Sequence, residues 1–135
     1  MLDNIKLASK RWYATGQTMP DGTIFVASGS FNGLDPAIPS NNNPTYEILN
    51  RDGTPRGANY KMDILVRNQP YYMYPFVHLL KDGNLFVFVA KSCQLFNVPR
   101  NQVVRDLPGK LPLDAIVPDN VIREAKLMKR ARYFF

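Results

Sequence analysis

Apolar residues along this chain fall in short runs, and the polar stretches between them are rich in glycine, proline, asparagine and aspartate. That is the punctuation of β-strands and turns rather than the three-to-four spacing of helices. Two of the turns carry Asp-Gly between runs of β-branched and aromatic residues, at Asp21-Gly22 and Asp82-Gly83. Glycine accepts the positive φ that a tight hairpin turn demands, so each predicts a hairpin. Laying residues 11–26 over residues 72–87 in the register set by these turns superposes Tyr13 on Tyr74, Met19 on Leu80, Ile24 on Leu85, Phe25 on Phe86 and Val26 on Val87, at an offset of 61. In this reading Tyr13 begins the first strand of its hairpin.

A third strand-like run follows each hairpin, at residues 46–49 and 94–98, and a fourth at residues 59–66 and 102–106. Polar loops rich in Pro and Asn cover residues 36–44 and 68–70. The chain is therefore expected to be all-β, with two four-stranded antiparallel units. Four strands per unit at a period near 50 is how kelch-type propeller blades read. The last fifteen residues break the pattern. From Val121 to Arg130 the apolar residues recur at helical spacing behind Asp119 or Asn120 as N-cap, which predicts a short C-terminal helix. The organisation expected is a lead-in over residues 1–10, a first blade over 11–67, a second over 68–112 and a basic helical tail over 113–135.

Composition agrees with this and narrows it. Eleven prolines, eight glycines and 16 aromatics in 135 residues favour turn-rich β-structure over a helical bundle. The net charge of +6 is unevenly placed: residues 1–120 hold 12 Lys and Arg against 10 Asp and Glu, and the last fifteen hold five against one. The basicity thus belongs to the tail, which reads as a solvated terminal helix, its cations suiting the helix C-terminus. No nucleic-acid-binding module accompanies it, so no specific nucleic acid is expected. No membrane span is expected, and residues 1–10 lack the apolar core of a signal peptide. The single cysteine, Cys93, excludes an intramolecular disulfide. Length sharpens the picture: two units of about 60 residues use nearly all the chain, whereas closed propellers have typically at least four blades.

The runs Arg11-Trp12-Tyr13-Ala14-Thr15, Met19-Pro20-Asp21-Gly22-Thr23-Ile24-Phe25-Val26, Gly29-Ser30-Phe31-Asn32-Gly33-Leu34-Asp35-Pro36, Asn43-Pro44-Thr45-Tyr46-Glu47-Ile48 and Tyr72-Met73-Tyr74-Pro75-Phe76-Val77-His78-Leu79-Leu80 stand in one order. Together they resemble the N-terminal propeller region of the copper radical oxidases, glyoxal oxidase more than galactose oxidase, from about Lys10 to about Pro112. The resemblance implies a copper held by two histidines and two tyrosines, one tyrosine being cross-linked to a cysteine by a thioether and carrying a radical. It implies oxidation of a small aldehyde to its acid with O2 reduced to hydrogen peroxide, in a family that is extracellular. By position Tyr13 is the radical tyrosine and copper ligand, and Phe31 the aromatic stacked over the thioether.

The remaining chemistry-bearing residues read differently. His78 alternates with Tyr74, Phe76 and Leu80 on one strand face and reads as a hydrogen-bonded core histidine. Tyr74, the repeat equivalent of Tyr13, reads as structural, and Cys93 as a small, partly buried residue at the start of a strand. A site with two imidazoles needs two histidines, and the sequence contains His78 alone. The chain is thus expected to be a fragment of such an oxidase, inactive by itself. The alternative is a non-catalytic kelch-type module that binds a protein or glycan, with open blade edges inviting strand pairing.

Overall fold

A computed structural model of the chain describes residues 5–33 and 35–107; the expected helix over 121–130 lies outside them. The described chain is all-β, with two four-stranded antiparallel sheets in the strand orders β1-β2-β3-β4 and β5-β6-β7-β8. Each is a simple meander, and together they have the architecture of an incomplete propeller-like fold. The first contains β1 (Thr15–Thr18), β2 (Ile24–Ala27), β3 (Thr45–Leu49) and β4 (Tyr60–Lys61). The second contains β5 (Phe76–Leu79), β6 (Leu85–Val89), β7 (Ser92–Asn97) and β8 (Gln102–Leu107).

The internal repeat is physical. Displaced by 61 residues, β1 becomes β5 and β2 falls within β6, and the turn glycines Gly22 and Gly83 have φ of 82° and 85°. In each turn the aspartate accepts a hydrogen bond from the backbone N–H two residues on, Asp21 from Thr23 at 3.0 Å and Asp82 from Asn84 at 2.9 Å, which closes the turn locally. The copies diverge between their second and third strands. The second sheet turns at Ala90 and Lys91, whereas the first inserts residues 28–44, containing a single 3-10 turn at Pro39–Asn41.

One expected strand is much shorter than its apolar run. Residues 59–66 contribute only Tyr60 and Lys61 to the sheet, and Asp63–Arg67 is a single helical turn, α1. A strand would send the neighbouring Ile64 and Leu65 to opposite faces. The helical turn buries both in one cluster, with Asp63 at its start, Arg67 at its end and an ion pair of 3.1 Å between them. Among the described residues no helix is long and apolar enough to cross a membrane.

The main core lies between the sheets. Phe25, Ala27 and Tyr46 of the first meet Leu85, Val87, Val89 and Phe96 of the second, with Met62, Ile64, Leu65 and Tyr72 filling in from the connection. A second cluster of Leu80, Phe86, Phe88, Cys93 and Leu107 lies on the other face of the second sheet, so β6 is buried along its whole length.

Inside the first sheet sits a buried ion pair, Arg11 to Glu47, with Nε–Oε1 at 2.5 Å and side-chain exposures of 0% and 1%. Burying two charges is costly unless every polar atom is satisfied, and here the bonding is nearly saturated. Arg11 Nη1 donates to the carbonyls of Ser28 and Thr45, both at 2.9 Å, and Nη2 donates to Thr45 Oγ1 and Asn59 Oδ1 at 2.8 and 3.1 Å. With Nε, that occupies all five guanidinium donors. The other oxygen of Glu47 accepts from the N–H of Ala8 at 2.6 Å, which ties the lead-in to β3.

Arg11→Ala or Glu47→Ala leaves one charge buried and unpaired, and each is expected to cost about 3–5 kcal/mol in urea unfolding. Tyr46 gives a second expectation. Burial, assisted by the nearby Tyr60, pushes its hydroxyl from an ordinary value of 10 up to about 12. The unfolded chain therefore loses this proton at lower pH than the folded chain, so the contribution of Tyr46 to stability is fully present below pH 10 and is lost between pH 10 and 12. Tyr46→Phe should flatten that fall in a pH series of unfolding curves.

Candidate active site

Tyr13 does not begin a strand. It occupies the corner before β1 in the left-handed region, at φ 63°, and its repeat equivalent Tyr74 does the same before β5, at φ 50°. That conformation is uncommon for a bulky side chain and persists only where surrounding contacts impose it.

Three sets of contacts do so. Arg11, two residues before, is immobilised by the bonds described above. Trp12 then exchanges both backbone hydrogen bonds with Ser30, its N–H donating at 2.9 Å and its carbonyl accepting at 2.8 Å. This bridge brings the chain across Gly29, where a Cβ would sit 2.9 Å from both Arg11 Cα and the Trp12 carbonyl oxygen. With φ of 111° as well, no other residue fits there without displacing the corner. Finally, Tyr74 N–H donates to the Tyr13 carbonyl at 3.3 Å, and the two rings meet edge to face with centroids 5.3 Å apart.

The second repeat also reaches into the first through Tyr72, which is fully buried. Its hydroxyl donates to the Gly29 carbonyl at 2.6 Å and accepts from the Asn43 N–H at 3.0 Å, while Ser28 Oγ donates to the Tyr72 carbonyl at 3.0 Å. Burial raises the pKa of this hydroxyl, offset in part by the Asn43 N–H, so it stays a neutral donor. The Tyr13 corner is thus built from both repeats.

Tyr13 itself is half-buried, and among the described residues its hydroxyl has no hydrogen-bond partner. A rigid backbone therefore holds a phenol oxygen whose lone pairs accept no hydrogen bond from the described residues. Phe31 follows Ser30 on the facing segment, is 39% exposed, and makes its backbone bond to Asn41 at 2.8 Å. The Trp12–Ser30 bridge thus holds Tyr13 and Phe31 on neighbouring segments, but the ring that touches Tyr13 is Tyr74.

Two other expectations are corrected. Tyr74 lies outside β5 and is 52% exposed, so it does not alternate with the strand residues. His78 is half-buried, and its imidazole is stacked on Phe76, parallel to within 3° at 6.4 Å, with no hydrogen bond among the described residues. The i, i+2 geometry of β5 brings these two rings to one face and supplies the imidazole with apolar surface instead of a polar partner. Cys93 lies within β7, more deeply buried than expected, in the second cluster with Phe86 and Phe88. Among the described residues no group of three or more His, Cys, Asp and Glu could hold a metal ion.

Arg11, Glu47, Gly29 and Tyr72 were not singled out from the sequence as site residues. One signal was present: Glu47 is a lone charge in the apolar run Tyr46-Glu47-Ile48-Leu49, and such a charge needs a partner cation when its strand face is buried.

Residues 2–115 match the family described as glyoxal oxidase N-terminus. An aldehyde oxidase GLOX1 of Arabidopsis thaliana is 32% identical over 105 residues, which cover 76% of this chain and 15% of the relative. An aldehyde oxidase GLOX of Vitis pseudoreticulata is 29% identical over 113 residues, or 84% of this chain and 19% of the relative. A WSC domain-containing protein of Arthroderma benhamiae is 30% identical over 107 residues, or 79% of this chain and 11% of the relative. The chain therefore spans less than a fifth of the length of these relatives. No solved structure matches. With its motif order, its Arg11-Trp12-Tyr13 corner and a match over residues 2–115, this chain belongs to the glyoxal oxidase N-terminus family.

Proposed function

We propose that this chain is the N-terminal part of a copper radical oxidase that acts on aldehydes. Tyr13 is the copper-ligating, radical-bearing tyrosine, and Phe31 is the aromatic that shields its thioether. Residues 11–67 and 68–112 are then two consecutive kelch-type propeller blades. The observation that carries this reading is the posture of Tyr13: a clamped backbone, a half-buried ring and a hydroxyl without a hydrogen-bond partner among the described residues, following Arg11 in the family's motif. Relatives named aldehyde oxidases supply the substrate class.

The donors in the sequence do not fit a complete copper centre. Two imidazoles are needed, and the sequence holds His78 alone. That ring is stacked on Phe76, within β5. Cys93 packs with Phe86 and Phe88 on the second sheet, and it is not assigned as the thioether partner of Tyr13. The remaining ligands and the partner cysteine are therefore assigned to polypeptide beyond this sequence, and no reaction step is assigned to this chain alone. What its own residues do is fix one ligand: Arg11 and Glu47 anchor the segment, Gly29 permits its close approach, and Tyr74 sets the ring plane.

Overall, the family reaction converts aldehyde, water and O2 to the acid and hydrogen peroxide, two electrons passing from the hydrated aldehyde to O2. Purified chain given copper and methylglyoxal should form no more peroxide than copper alone in a coupled peroxidase assay; robust turnover would overturn the incompleteness. The Tyr13 assignment has its own test. When residues 2–115 replace the matching segment of the grapevine relative, peroxide formation should persist. Tyr13→Phe in that chimera should reduce it to background, whereas Tyr74→Phe should leave it largely intact.

A further inference from the structure

A cleft of about 640 Å³ opens between the two sheets at the end where their Asp-Gly turns lie. This is the far end of β1 from Tyr13, since Tyr13 precedes Thr15 and the cleft begins at Met19, just after Thr18. Its volume is that of small-molecule sites, about 300–1,000 Å³. Among the described residues its lining comes from the two sheets and the turns and connections between their strands.

The lining combines an aromatic platform with dispersed polar groups. Tyr46 forms the floor, stacked between Phe25 and Tyr60 with centroids 5.1 and 5.3 Å away. One face of Tyr60 rests on Tyr46, and the residue is 38% exposed at the rim. The Tyr46 hydroxyl donates to Asn101 Oδ1 at 2.6 Å, which orients that amide. The NH2 of Asn101 is left as a donor without a partner among the described residues. Asp21 and Arg56 also line the cleft, loosely paired at 3.9 Å and each more than half exposed, so both can still bond a ligand.

These features select a ligand chemistry. One arginine among two aspartates gives no surplus positive charge to hold a phosphate or a polyanion. The polar rim is unsuited to a lipid chain. A ring face beside an amide, a carboxylate and a guanidinium matches a pyranose instead, which has an apolar C–H face and hydroxyls that both donate and accept. We propose that this cleft binds a neutral oligosaccharide, one sugar ring lying on Tyr60 with its hydroxyls bonded to Asn101, Asp21 and Arg56.

The test is an amide-resonance NMR titration of the full chain, without copper, using cellohexaose, xylohexaose and maltohexaose in turn. At least one should shift residues 21–23 and 97–101 saturably at millimolar concentration. Tyr60→Ala and Asn101→Gly should each weaken that binding by about tenfold or more, while Tyr60→Phe, which keeps the ring, and Tyr71→Ala, outside the cleft, should leave it unchanged. The amide spectra report whether each variant is folded. The proposal is overturned if none of the three sugars gives saturable shifts, if the shifts survive Tyr60→Ala, or if an oligogalacturonate binds more tightly than the neutral sugars. Since no metal is present, the outcome is independent of the role of Tyr13.

Discussion

The buried guanidinium of Arg11 is the constraint on which the rest of the first sheet depends. It lies where β3, the Ser28 corner and the β4 connection converge and bonds to each of them, while its partner Glu47 holds the lead-in at Ala8. A hydrophobic residue of similar size could fill the volume, and buried ion pairs seldom add net stability over such a replacement. What apolar packing lacks is direction. Five donors in a rigid planar fork fix the position and orientation of three chain segments at once, and the residue two positions later inherits that precision.

The two repeats are interlocked as well as packed. Tyr72 from the approach to the second sheet fills the corner of the first and bonds the carbonyl of Gly29, while Ser28 returns a bond to the Tyr72 backbone. These polar contacts are buried, so separating the sheets exposes apolar surface and also strands unsatisfied groups. Register between the sheets is thereby set by directional hydrogen bonds in addition to the close packing of Phe25, Leu85 and Phe96.

Much of this architecture was legible in the residues. Asp-Gly turns and their offset located both hairpins, because a tight turn needs positive φ at a fixed point and writes it as glycine. The corner at Tyr13 was not legible, since its left-handed backbone is imposed by contacts with residues far along the chain, Ser28, Gly29 and Glu47, and not by any local preference. The same holds for Asp63–Arg67, where a strand-like run becomes a helical turn because two neighbouring side chains must be buried together. His78 was placed on the correct strand, but its neighbours on β5 decided that it would stack and not bond. The family motif identified Tyr13 as the residue to examine; the network that poises it involves residues that the motif leaves silent.

The paired corners at Tyr13 and Tyr74 carry a consequence for what marks such a site. Both tyrosines share the unusual backbone, one repeat apart. The posture therefore belongs to the repeated unit and not to one copy of it. Backbone strain alone does not set Tyr13 apart, because its twin has the same strain; the half-buried ring does, Tyr74 being 52% exposed. The two phenols share a backbone posture but not a setting: Tyr13 is half-buried, and the more exposed Tyr74 is a wall against which it is braced.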